Sequence, residues 1–312
     1  MVQHHTANLR LQMRYFNIEN PDNDPESDPL SIRFSVIFAV GQEERWRNFE
    51  LERIGSSGVA PQCQLQLIVT DQIISCFCSR IHTAKEAYCC LGIIVSSNAR
   101  RHRVWVPKNP LSIPSRGRAM TLASMLHDLK PEVAPTLEER LKLGVRLASS
   151  VLQLHDTEWL NERWSKQEIW FIQEEPCQNP VLRYPLVRRA FQPGEEIEAP
   201  PGTPIGALVG PWNTSLFALG ITLIELWDWK SLEVKDIGEA WRCFLGLKGR
   251  APASFIDVVR RCFSNLDHTE TQLHLDDFKN TVYLKIVLPL EDTLKWFCGK
   301  DNIGQIFEEY SA

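Results

Sequence analysis

The sequence predicts an α+β protein in two parts, a small mixed region in which strands are prominent and a larger region that is mainly helical. Three observations carry this reading. Up to about residue 117 the apolar residues alternate or gather in short β-branched runs; Pro107, Pro110, Pro114 and Gly117 then punctuate the chain densely; from Leu122 onward the apolar period lengthens to about 3.6. With 312 residues the chain can form one large domain or two packed units. Hydrophobic residues make up 44% and charged residues 23%, values that favour a packed core over a disordered chain.

Residues 1–29 read as a flexible segment, because Asn20 to Pro29 is acidic and rich in turn formers. Residues 30–117 form the mixed region. Ile32 to Val40 alternates and then runs apolar, which predicts a strand half buried on one side. Leu65 to Val69 and Ile73 to Ile81 are both compatible with strand or buried helix, and the four-residue steps of Ile73, Phe77 and Ile81 tilt the second segment to helix. Leu91 to Val95 and Arg103 to Val106 read as two strands joined across the turn at Asn98.

Residues 118–312 form the helical region. Leu122, Met125, Leu126 and Leu129 make one short amphipathic face. Thr136 followed by Glu139 is a capping box, opening a helix whose apolar positions run from Leu141 to Leu154. Leu216 to Trp227 is apolar almost all round, so it is buried on every side, with Ser215 as the expected cap. Between these helices Gln192 to Pro211 holds five prolines and four glycines, loop chemistry of a length often tied to function.

A formal net charge of -5 gives no global attraction to nucleic acid or an anionic membrane. The basic cluster Arg100, Arg101, His102 and Arg103 reads as a solvated turn. Nine cysteines, an odd and irregularly spaced set, point to reduced thiols, and Cys76, Cys78, Cys89 and Cys90 sit among apolar residues rather than in zinc-ligand spacing. Met1 to Arg10 lacks an apolar signal core and no run reaches the ~18 apolar residues of a membrane span, so a soluble, cytoplasmic protein is expected.

The order of segments in the helical region resembles the larger lobe of protein kinases. A helix ending Leu154-His155 resembles the one before the kinase catalytic loop, and Ile169-Trp-Phe-Ile172 resembles the strand after it. Phe217-Ala-Leu-Gly220 with Leu223-Ile-Glu-Leu226 resembles the buried helix beyond. Thr121 to Leu126 resembles the segment past the hinge, and Phe255 to Phe263 resembles a late helix carrying a cysteine. The match spans roughly Thr121 to Phe263, and the whole chain resembles a kinase-like domain family of unknown function from filamentous fungi. The resemblance implies a two-lobed kinase-like fold, with a small strand-containing N-lobe and a helical C-lobe.

The catalytic parts of that family are not found at their offsets. In active kinases the loop H-R-D-L-x-x-x-N supplies an Asp as proton acceptor and an Asn for magnesium. Anchored on Ile169, the motif places Arg163 at the base position and Glu168 at the Asn position. A guanidinium cannot accept a proton. No Asp-Phe-Gly follows Ile172, which removes the principal magnesium carboxylate. A rival anchoring takes Asp156 and Asn161, five apart, but leaves Asn161 followed by Glu-Arg-Trp instead of a strand. Gly55-Ser-Ser-Gly58-Val59 has only part of the glycine-rich loop pattern, and Ala84-Lys85 lies in a polar connection.

The resemblance and its gaps together imply a non-catalytic module that acts by binding a protein, with no cofactor or metal and with no nucleic acid or membrane as partner. Trp159, Trp164 and Trp170 are the candidate contact residues. They either fill the space beside the loop or present a docking surface, since Trp serves both purposes. The alternative is an unconventional phosphotransferase that rebuilds its metal site from Glu168, Glu174 or Glu175.

Overall fold

The computed structural model describes residues 5–11, 33–40, 45–53, 72–74, 80, 84, 89–95, 101–108, 111, 117–128, 133–154, 159, 164–174, 182–191, 213–234, 236–264, 266 and 275–308. The chain divides into two compact units, one of Met1–Arg10, Tyr15–Arg118 and Arg189–Phe191, the other of Leu11–Arg14, Ala119–Arg188 and Gln192–Ala312. Its architecture is mixed α+β. Among the described residues no helix is long and apolar enough to cross a membrane. The expected turn at Asn98, the loop at Gln192 to Pro211, Leu65 to Val69, Lys85, Gly55 to Val59 and Cys76 to Cys78 lie outside the described residues.

In the first unit, β1 (His5–Arg10), β2 (Arg33–Val40), β3 (Arg45–Arg53), β4 (Cys90–Val95) and β5 (Arg101–Trp105) lie in the order β4-β5-β3-β2-β1. Neighbours pair antiparallel, with Val36 opposite Phe49 and Leu51 opposite Val104. Opposed residues share a face, so Phe49, Leu91 and Val104 gather into a core with Ala84. β1 lies within the stretch expected to be flexible. Six residues are too few for a period to register, and the strand is fixed from outside: Leu9 stands opposite Val36, and Asn8 Nδ2 donates to the Ile37 carbonyl at 3.0 Å.

Two other expectations are corrected here. Ile73, at the start of a segment that its spacing tilts to helix, instead makes an isolated parallel bridge to Ile93, with Ile74 N–H donating to the Ile93 carbonyl at 2.8 Å, whereas Arg80 later in that segment is helical. That approach needs Gly92, whose φ is +134° and whose added Cβ would lie 2.5 Å from the Gln72 carbonyl. The basic run also differs: Arg101, His102 and Arg103 belong to β5 and pair with β3 and β4.

The second unit holds β7 (Ile169–Glu174) with Ala119–Thr121 of β6 (Gly117–Thr121) and Leu186–Arg188 of β8 (Leu186–Phe191), in the order β8-β7-β6 with Ile169 opposite Val187. The helices are α1 (Leu122–Asp128), α2 (Leu137–Leu154), α3 (Thr214–Asp228), α4 (Ile237–Leu245) and α5 (Ala253–Phe263). A longer rod follows, formed by α6 (Leu275–Val282), a π-helical turn over Tyr283–Val287 and α7 (Leu288–Cys298); α8 (Ile303–Glu308) ends the described chain.

The capping box opening α2 is formed as the sequence predicts: Thr136 Oγ1 accepts from Glu139 N at 3.2 Å while the Glu139 carboxylate accepts from Thr136 N at 2.9 Å. Thr136→Ala is expected to cost about 1 kcal/mol in urea denaturation. The cap of α3 is a correction. Asn213, not Ser215, is in extended backbone and accepts the Leu216 N–H at 3.0 Å, whereas Ser215 lies inside the helix and is buried. The helix starts two residues before its apolar run, and its cap is displaced by the same amount.

α3 is the spine of this unit because glycines let neighbours approach it. A Cβ on Gly144 of α2 would stand 3.0 Å from Leu223 Cδ2, and one on Gly220 of α3 would stand 2.6 Å from Phe263 Cε1 of α5. Arg140 ties α2 to the end of α3, donating to the carbonyls of Leu226 at 3.2 Å and Trp227 at 2.7 Å. Those carbonyls have no helical donor of their own.

The π turn has a visible cause. Pro289 has no N–H for the carbonyl of Lys285 four residues back, and Arg261 Nη1 donates to that carbonyl instead at 3.0 Å. One turn on, Glu291 is 7% exposed. Burial pushes its carboxyl above the usual range, with Asp292 adding to the shift and Lys295 opposing it. A raised folded-state pKa makes the contribution to stability full at low pH and lost as pH rises through it. Glu291→Gln is therefore expected to raise the melting temperature at pH 8, and the gain should shrink toward zero as the pH is lowered through the acidic range.

Candidate functional site

The segment Trp164–Glu168, directly before β7, is where the family resemblance places the end of a catalytic loop. It is a single turn closed on itself. Ser165 donates to Glu168 Oε2 through both its N–H and its Oγ, each at 2.7 Å, and Glu168 N–H donates back to the Ser165 carbonyl at 3.1 Å. Ser165-Lys-Gln-Glu168 has the same S/T-x-x-E spacing as the box at Thr136. The Glu168 carboxylate thus works locally, holding two donors of its own turn.

Lys166 joins that turn to three other elements. Its Nζ donates to Glu225 Oε1 at 2.6 Å, Ser231 Oγ at 2.8 Å and the Leu232 carbonyl at 2.9 Å, which uses all three of its protons. Its own carbonyl accepts the Ala123 N–H at 3.1 Å, one of the amides left without a helical acceptor at the start of α1. Glu225 Oε1 also accepts the Leu232 N–H at 2.8 Å.

The residues after α3 reach Lys166 because Trp229 ends that helix in the left-handed region, at φ 47° and ψ 50°, turning the chain back on itself. Glu225 is 1% exposed. Burial pushes its carboxyl up, while the Lys166 ammonium and the Leu232 amide pull it down. The result is a buried ion pair that binds the loop-end turn to the spine helix.

The three candidate tryptophans occupy different environments. Trp164 is 2% exposed and packs with Leu147, Val151, Ile169 and Val187 around a cavity of about 10 Å³, room for about one water molecule. Trp170 is half-buried, with the Arg188 guanidinium 3.8 Å from its ring centroid, a cation–π contact. Trp159 is half-buried as well. Arg163, Asp156, Asn161 and Glu175 lie outside the described residues, as does the side chain of Glu174.

Lys166 and Glu225 escaped the sequence reading. The signal was present: Glu225 is the one charged residue between Leu216 and Trp227, and a carboxylate in an otherwise apolar, fully buried helix requires a partner. Nothing in the sequence names which lysine supplies it.

This mixed α+β chain, with its turn locked to a buried helix, is matched over residues 2–297 by the family described as Domain of unknown function (DUF7580). The chain belongs to that family. No curated protein matches it.

Proposed function

We propose that this protein is a kinase-like module that acts by binding another protein and does not transfer phosphate. The observation that carries this reading is the use made of the loop-end turn. Glu168, at the position of the magnesium-binding Asn, spends its carboxylate on Ser165, and Lys166 spends every donor on Glu225, Ser231 and Leu232. Phosphoryl transfer needs carboxylates free for magnesium and a base aimed at the acceptor hydroxyl. A turn whose polar groups satisfy one another is suited to holding a shape.

Thermal unfolding followed with ATP, with and without magnesium, tests the reading. The expected result is no magnesium-dependent stabilisation at micromolar ATP and no incorporation of labelled phosphate. Stabilisation that requires magnesium, together with phosphate incorporation lost in Glu168→Ala, would overturn it in favour of a phosphotransferase with a rebuilt metal site.

A further inference from the structure

The rod from Leu275 to Cys298 buries one side and presents a stripe of mainly apolar residues on the other. Val282, Ile286, Leu290 and Leu294 run down the buried side at four-residue steps, each at most 1% exposed. Two positions on, Leu284, Leu288, Asp292 and Trp296 run down the outer side, with Leu284 58% and Trp296 76% exposed and Phe297 beside it at 42%. In a regular α-helix a four-residue step drifts by about 40°. The wider π turn takes up part of that drift, keeping Leu284 on the side of Trp296.

We propose that this outer stripe is a two-fold contact between two copies of this chain, with Leu284 of one copy against Trp296 of the other. An antiparallel two-fold pairing of the two rods makes that contact twice. The charges suit self-association. Asp292, the charged residue within the stripe, is paired with Lys295 at 3.1 Å, so two such faces meet with little net repulsion.

A strongly acidic or basic partner, or an anionic lipid surface, would find no matching field there. Side chains of these sizes and exposures leave on the order of 400 Å² of apolar surface per copy. That approaches the apolar share of a standard interface of ~800 Å² per partner. Trp296 has the size and position of its anchor. The inference stands apart from the proposed function, because it uses none of the residues around Lys166.

Sedimentation velocity of the full chain, from low micromolar to ~100 µM, tests it. A concentration-dependent dimer is expected, weakened at least tenfold by Trp296→Asp and by Leu284→Asp. Leu245→Asp, which changes another leucine that is 51% exposed but lies on α4, should leave it intact. All three positions are on the surface, and unchanged melting temperatures would show that the variants fold. A chain that stays monomeric throughout overturns the proposal, as does a dimer that survives both stripe substitutions or is equally lost with Leu245→Asp.

Discussion

Replacing Lys166 with methionine is expected to destabilise the protein by about 3–5 kcal/mol, because it leaves the Glu225 carboxylate buried without its counter-charge. The side chains of Lys166 and Glu225 are 13% and 2% exposed, so solvent screens the pair little. In thermal unfolding the loss should appear as a fall on the order of 10 °C. The companion variant separates the worth of the pair from the cost of breaking it. Burial already pushes the Glu225 carboxyl up against the pull of Lys166, so the pair has little advantage over a well-packed apolar couple. The double variant Lys166→Met/Glu225→Leu should recover most of the lost stability. If it falls as far as the single variant, the hydrogen bonds to Ser231 and Leu232, and not the ion pair, hold the turn.

Gly220→Ala is expected to have the next largest effect. Alanine in a helix normally gains up to ~1 kcal/mol over glycine. Here its Cβ would stand 2.6 Å and 2.9 Å from two ring carbons of Phe263 and 3.0 Å from Cys262 Cβ. Phe263 is fully buried and stacks with Phe217 at 5.1 Å between centroids, so the ring has little room to retreat. Overpacking of this kind costs ~1–3 kcal/mol, and the net change should be destabilising in chemical denaturation. In a Phe263→Leu background the obstructing ring is gone, and the alanine should become neutral or favourable. Gly144→Ala is the contrast. Its nearest neighbour is the methyl end of Leu223 at 3.0 Å, a side chain that can shift, so it should stay within about 0.5 kcal/mol of the parent.

These expectations mark how far the sequence could be read. The box at Thr136 and Glu139 and the buried character of Leu216 to Trp227 were legible, because each rests on spacing within one helix. Apolar periodicity likewise found the β4 and β5 strands. The strand at His5 to Arg10 and the bridge at Ile73 were not legible, since both are decided by pairing with distant residues: Ile37 and Val36 for the first, Ile93 for the second.

The candidate site divides in the same way. The departure from the pattern that the kinase resemblance implies can be read from Glu168 and from the missing Asp-Phe-Gly, and the Ser165-to-Glu168 spacing is a local pattern that turns out to close a turn. That Lys166 meets Glu225, 59 residues away, is a matter of how α3 and the loop-end turn come together. The environments of Trp164 and Trp170 also had to be seen, since a tryptophan has the same composition in a core as on a surface.

The sequence by itself determined the α+β composition, the helical second region, the capping box of α2 and the one carboxylate in the spine helix that had to find a partner. Only the tertiary structure decided which lysine that partner is, why Gly220 must lack a side chain, and that the rod ending at Cys298 turns Leu284 and Trp296 outward. The physical reason is range. Caps and periodicity act over a few residues and are written in consecutive letters, whereas buried charge pairing, close ring contacts and the facing of a helix depend on neighbours tens of residues distant.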